Sequence, residues 1–298
     1  MVAMRTEASS EIAVDGLSLA DMVTTLIDAQ SSAIEAVRMA SQSIQSAIEA
    51  ATERLGNSTA RLIYCGAGTS GRIGLLDGVE LAPTFGWPDE RMVTLMAGGD
   101  GSLVHAVEGA EDDRDAALRD AEAAGVTEND VVVALAASGS TPYTIEVLKE
   151  ADRRGALTIG VSNNPDAPMF AACSVTVLLD TGAEVVAGST RLAAGTSQKA
   201  FLNTFSTGVM VRLGRVHNGL MVDMEVTNTK LRRRAVGIVR DLAGVDGPTA
   251  ERALEEAEFS IKEAALIAQG VDRMRASRAL DRARGVYADA QRWLGESV

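Results

Sequence analysis

Between Ser18 and about Arg54 the apolar residues Ile34, Val37, Ile44, Ile48 and Leu55 recur at close to helical spacing, and Ser18 followed by Asp21 reads as a capping box. This predicts one or two amphipathic helices ahead of the first strand. Short apolar runs then alternate with helix-like segments: RLIYC at 61–65, MVTLMA at 92–97, VVVALAA at 131–137, LTIGVS at 157–162 and SVTVLL at 174–179. Runs that are continuous, without an alternating polar face, fit strands buried on both sides, so the pattern predicts an α/β fold with a central parallel sheet covered by helices. From about Ser189 to Val239 few breakers occur before Gly214 and Gly219, which predicts two or three helices, the last basic at Arg232, Arg233 and Arg234. After the break from Gly244 to Pro248, residues 249–298 are rich in Ala, Glu, Arg and Leu at helical periodicity. The expected organisation is a leading helical segment over 1–56, an α/β domain over 57–244 and a small C-terminal helical subdomain over 245–298.

At 298 residues and 46% hydrophobic content the chain can bury a sizeable core. A net charge of -13 and only 3% aromatic residues oppose binding to nucleic acid or to an anionic membrane surface. Cys65 and Cys173 lie in apolar runs far from His105 and His217, so neither a disulfide framework nor a zinc site is suggested, and a reducing cytoplasm fits. The opening MVAMRTEASSE has no apolar core of a signal peptide, and no apolar stretch has the length of a transmembrane helix.

In open parallel sheets ligands bind beyond the carboxyl ends of the strands, near the point where the strand order reverses. The first strand runs into Gly66-Ala67-Gly68-Thr69-Ser70-Gly71-Arg72, where Gly68, Thr69 and Ser70 open a helix whose N–H groups and dipole suit an anion. The string also satisfies G-x-G-x-x-G, which makes a dinucleotide the competing ligand. Two features point instead to a compact sugar phosphate. A second hydroxyl-rich loop, Ser138-Gly139-Ser140-Thr141-Pro142, follows the 131–137 strand, and the acidic ribose clamp of dinucleotide sites has no clean counterpart, since Ala97-Gly98-Gly99 follows the second strand. Helix N-capping is the plainer reading of either loop alone. Carboxylates stand at Glu80 and in the run from Glu108 to Asp113, which contains Glu111 and is interrupted by Gly109. A third string from Glu184 to Arg191, with Ser189, leads into a long helix containing Lys199 and adds Glu184, Arg191 and Lys199 as candidates for sugar or anion contact.

Five ordered blocks, GAGTSGRIGLLDGVELAPTFG (66–86), AVEGAEDD (106–113), AASGSTPY (136–143), EVVAGSTRLAAGTSQK (184–199) and LMVDMEVTNTKL (220–231), resemble the N-acetylmuramic acid 6-phosphate etherases, a family of the sugar isomerase (SIS) domain superfamily. The resemblance spans nearly the whole chain and implies a three-layer α/β/α SIS fold. It implies a lyase that converts N-acetylmuramic acid 6-phosphate to N-acetylglucosamine 6-phosphate and D-lactate in cell-wall recycling, without metal or organic cofactor and as a homodimer. The family's two catalytic glutamates match Glu80 and Glu111, which we read as the acid that protonates the leaving lactate and the base at C2, respectively. Two departures stand out: Ser140 and Ala193 occupy positions where many members carry Arg and Lys, with Arg72, Arg191, Lys199 and Lys230 as candidate replacements. The alternatives are a non-catalytic sugar-phosphate regulator, which has no evident use for an acid and base pair, and an amino-sugar-phosphate isomerase, which would release no lactate.

Overall fold

The computed structural model describes Thr6, Ala8 and residues 12–296. The opening segment read above for a signal peptide lies, apart from Thr6 and Ala8, outside the described residues. In chain order the elements are α1 (Leu19–Met39), α2 (Ser41–Leu55), β1 (Leu62–Gly66), α3 (Gly68–Val79), α4 (Leu81–Phe85), β2 (Met92–Met96), α5 (Gly101–Val104), α6 (Arg114–Ala123), β3 (Val131–Leu135), α7 (Pro142–Arg153), β4 (Leu157–Ser162) and β5 (Val175–Leu178). There follow α8 (Ala193–Arg212), β6 (Val216–His217), β7 (Leu220–Met221), α9 (Thr229–Ala243), α10 (Gly247–Glu256), α11 (Ile261–Ala268), α12 (Arg273–Arg282) and α13 (Tyr287–Glu296). The chain divides into two compact units, one of residues up to Gly78 with Glu90–Ser206, the other of Val79–Asp89 with Thr207–Val298.

In the first unit all five expected strands form, and every pairing is parallel, in the order β2-β1-β3-β4-β5. β1, β3 and β4 are buried along their whole length, which is why their sequences are apolar without alternation. Ile63, Cys65, Val132 and Ala134 pack with Tyr143, Val147 and Ala117 of α7 and α6 on one face. Tyr64 points to the other face, where its hydroxyl donates to Asp77 of α3 at 2.8 Å. α2 packs on β3, β4 and β5. The result is the expected helix, sheet, helix layering.

α1 begins where the capping box places it: the Ser18 hydroxyl accepts from the Asp21 N–H. β1 and α3 meet so closely that a Cβ on Gly66 would lie 2.8 Å from the Gly71 nitrogen, and one on Gly71 would lie 2.7 Å from the Gly66 oxygen. Only glycine at both positions permits that approach.

At the amino-terminal side of the sheet, Asp130 is fully buried and joins its own loop to the start of β1: it takes Arg61 Nε at 3.0 Å and Nη2 at 2.6 Å, and the backbone N–H groups of Thr127 and Arg61. Burial pushes this carboxyl up, but the Arg61 guanidinium and the two N–H groups outweigh it and hold Asp130 below its ordinary value.

In the second unit α9, α10 and α11 share one core built on Ala235, Ile238, Val239, Ala250, Leu254 and Ala264. The C-terminal helical core therefore starts earlier in the chain than the break at Gly244 to Pro248, because the apolar face of α9 is buried against α10. A second small core joins Ala265 and Leu266 to Ala276, Tyr287 and Leu294 of α12 and α13. The segment expected as helices alone also contains the β6–β7 hairpin, whose turn places Asn218 and Gly219 at positive φ. Two-residue strands carry too little pattern to be seen in sequence.

A depressed folded-state pKa contributes stability that is present above the unfolded value, about 3.9 for Asp, and is lost as pH falls through the folded value. We expect thermal unfolding to show this acid-side loss, and Asp130→Asn to remove part of it while costing about 3 kcal/mol at neutral pH by leaving the Arg61 guanidinium without its carboxylate. Thermal melts from pH 3 to 8 on both proteins check this; equal melting temperatures at neutral pH would contradict it.

Candidate active site

The strand order reverses between β1 and β3, and the loops leaving these two strands face one cavity of about 440 Å³. Its lining includes Gly68, Thr69 and Ser70 from the first turn of α3, Ser138, Ser140 and Thr141 ahead of α7, Glu111 and Asp112, and Gly188 and Thr190. Two 12-residue helices thus begin at its wall. Their N–H groups and dipoles favour an anion, and among the described residues no lysine or arginine lines the cavity.

The second loop is held in shape by its own chain. The Ser140 N–H donates to the Ser138 hydroxyl at 3.1 Å. Gly139 has φ 67°, and a Cβ there would lie 2.2 Å from the Ala167 Cβ, so it shapes the loop without lining the cavity. Thr141 occupies the N-cap position of α7 yet its side chain makes no capping bond. Plain N-capping does not account for that hydroxyl, which lines the cavity instead.

Glu111 sits in a short 3₁₀ turn after Gly109, whose φ of 72° breaks the helical run. It is exposed and shares the cavity with both loops. Glu80 is also exposed and stands between α3 and α4, at the start of the segment that belongs to the second unit.

The third string plays a different part. Glu184 is 1% exposed, and its two oxygens accept from the N–H groups of Ala193 and Ala194 at 3.0 and 2.9 Å, capping α8. Ala193 is buried there and gives the cavity no side chain. Ser189 and Arg191 lie outside the lining, whereas Thr190, between them, is in it. The Lys199 ammonium lies 3.5 Å from Asp77, the buried carboxylate that also accepts from Tyr64. Burial and the neighbouring Asp77 push the Tyr64 phenol well above its ordinary value. Arg72 donates to the carbonyls of Ser102, Leu103 and His105, securing the loop after β2. Lys230 is exposed on α9.

Sequence reasoning missed Asp112, Gly188, Thr190 and Asp77. The hydroxyl of Thr190 and the mid-helix carboxylate of Asp77 had signals in the same blocks, but nothing in the string marks which neighbour faces the cavity.

Two family models match the chain: the glucokinase regulatory protein N-terminal SIS domain over residues 40–152 and the SIS domain over residues 104–207. A relative in Deinococcus radiodurans, named N-acetylmuramic acid 6-phosphate etherase, is 45% identical over 95% of this chain and 92% of its own. One of the same name in Symbiobacterium thermophilum is 46% identical over 87% of this chain and 85% of its own. Among solved structures, a phosphoheptose isomerase from Francisella tularensis superposes with a TM-score of 0.50 at 16% identity, over 65% of this chain and all of that one, a likeness of fold.

Thr141 lines the cavity and its side chain makes no capping bond. Thr141→Val is expected to weaken binding of N-acetylglucosamine 6-phosphate about tenfold, or about 1.4 kcal/mol, without lowering the melting temperature. Calorimetry with a thermal melt checks this; an unchanged Kd would contradict it.

Proposed function

The chain belongs to the N-acetylmuramic acid 6-phosphate etherase family, and from that premise we propose an acid and base elimination in which Glu111 is the base and Glu80 the acid. The protein is a carbon–oxygen lyase that cleaves the D-lactyl ether of N-acetylmuramic acid 6-phosphate, with water, to N-acetylglucosamine 6-phosphate and D-lactate, in amino-sugar recycling from the cell wall. The observation that carries the assignment of the site is that Glu111 shares one cavity with the loops after β1 and β3. The phosphate is held by backbone N–H groups at the starts of α3 and α7 and by the hydroxyls of Thr69, Ser70, Ser138, Ser140 and Thr141. A side-chain cation is not needed for a phosphate placed at two helix N-termini.

The chemistry follows from the open-chain sugar. Its C2 proton is α to the C1 aldehyde and acidic enough for a carboxylate to remove. The electron pair moves to form the C2–C3 double bond, and the C3–oxygen bond breaks as Glu80 delivers its proton to the departing lactate. Water then adds at C3 of the unsaturated aldehyde. Its proton passes to the glutamate that has just become basic, and C2 is reprotonated from Glu111. The two glutamates start in opposite protonation states and end as they began.

Glu184 acts on the site indirectly in this reading, by fixing the start of α8 next to Thr190. Gly139 shapes its loop, Lys199 braces α3 through Asp77, and Ser189 and Arg191 flank Thr190 at the rim. The regulatory and isomerase readings are not favoured, since the matching relatives are etherases over nearly their whole length.

We further propose a cytoplasmic homodimer. α1 supports it, because Leu19, Val23 and Ile27, spaced by one helical turn, are 76%, 48% and 65% exposed, and Ile34 is 52% exposed. An apolar stripe of that kind on a helix marks an interaction surface. Among the described residues, no helix is long and apolar enough to cross a membrane.

The deciding experiment is a coupled D-lactate assay with N-acetylmuramic acid 6-phosphate. The parent is expected to release lactate, and Glu80→Gln and Glu111→Gln to lose at least a hundredfold in kcat while still binding N-acetylglucosamine 6-phosphate. Sugar-phosphate binding without lactate release by the parent would overturn the reading. For the assembly, sedimentation is expected to give twice the chain mass, with Ile27→Glu sedimenting as a monomer; a parent at the chain mass would contradict the dimer.

A further inference from the structure

The short segment Val79–Asp89, which contains Glu80, belongs to the second compact unit although its neighbours in sequence on both sides belong to the first. Three of its side chains are buried: Leu81, Phe85 and Trp87, at 2%, 7% and 1% exposure. One side chain gathers its far end. Arg215, just before β6, donates from Nη1 to the Phe85 carbonyl at 2.9 Å and the Gly86 carbonyl at 2.7 Å, and its guanidinium lies 5.3 Å from the Trp87 ring centroid. Asp223 faces the same guanidinium at 3.8 Å and is itself held by the buried Lys262 at 2.6 Å, while Lys262 also donates to the Gly285 carbonyl. Gly86, at φ 58°, closes the contact from the opposite side: a Cβ there would lie 2.3 Å from the Asp223 carbonyl oxygen. The Glu225 N–H adds a bond to the Pro83 carbonyl at 3.4 Å.

We propose that Arg215 is a positioning residue for Glu80: by holding the Phe85 and Gly86 carbonyls between Asp223 and Trp87, it fixes the segment that presents the catalytic acid. The C-terminal helices thereby acquire a role in the reaction, because Lys262 of α11 and Gly285 after α12 complete the cluster that seats Arg215. This rests on the reading of Glu80 as the acid. The half-buried guanidinium is a costly group to place where a packed apolar side chain would serve stability as well, and its Nη1 donates to the backbone of this segment. None of its partners lines the cavity that contains the phosphate loops. Its loss should therefore affect turnover and spare binding.

The test compares Arg215→Met, Arg215→Lys and Glu80→Gln with the parent, with Trp87 isolated by Trp293→Phe, since the chain has two tryptophans. Arg215→Met is expected to lower kcat at least tenfold with KM and the Kd for N-acetylglucosamine 6-phosphate within twofold of the parent. Arg215→Lys is expected to recover most of the loss, and Trp87 fluorescence in Arg215→Met to become open to acrylamide quenching. In a Glu80→Gln background Arg215→Met is expected to have no further effect, whereas a merely structural role would add its own loss. Should Arg215→Met fail to fold, Gly86→Ala displaces the same segment with Arg215 intact and is judged by the same criteria. Parental kcat in the folded variant, a rise in KM at constant kcat, or additive losses with Glu80→Gln would overturn the positioning role alone. Full turnover by Glu80→Gln would overturn the acid assignment and the proposal with it.

Discussion

Everything at the candidate site depends on how closely the backbone of β1 approaches the first turn of α3. With Gly66 and Gly71 in contact, α3 starts directly over the end of its own strand. Because β3 pairs with β1 in the reversed half of the sheet, α7 starts beside it. Two helix N-termini then share one cavity, which gives an anion several convergent N–H donors. A Cβ at either glycine would push α3 away from the sheet and separate the two ends.

The proposed phosphate site lies beside two carboxylates. Glu111 and Asp112 line the same cavity, and in the proposed elimination a lysine or arginine beside them would pair with the carboxylate that takes the proton from carbon. Two of the cations that the family resemblance offered as replacements are engaged elsewhere, Arg72 on three loop carbonyls and Lys199 on Asp77. They hold neighbouring segments of the chain in place. Glu184 shows the same economy with the opposite sign, a buried carboxylate that completes the N-terminus of α8.

Much of the fold was legible because its physics is local. A strand buried on both faces has to be continuously apolar, so β1, β3 and β4 stood out, and Ser18 with Asp21 announced α1 through a three-residue motif. The loops at 66–72 and 138–142 were legible for a similar reason, since glycines and hydroxyls at strand ends are unusual residues in an unusual place. What stayed hidden was long-range. Nothing near Glu184 in sequence says that its carboxylate caps a helix nine residues on, nor that Thr190 faces the cavity while Ser189 and Arg191 do not. The attachment of 79–89 to helices beyond residue 207 was equally invisible, because it depends on Arg215 meeting two backbone carbonyls more than a hundred residues upstream. The β6–β7 hairpin was too short to leave a periodic signal.

The most direct test of the central claim is a crystallographic complex with N-acetylglucosamine 6-phosphate. The phosphate oxygens are expected within hydrogen-bond distance of backbone N–H groups at the starts of both α3 and α7, with C2 of the sugar turned toward Glu111. A phosphate bound by lysine or arginine side chains away from these two helix ends, or a sugar with C2 remote from Glu111, would contradict it.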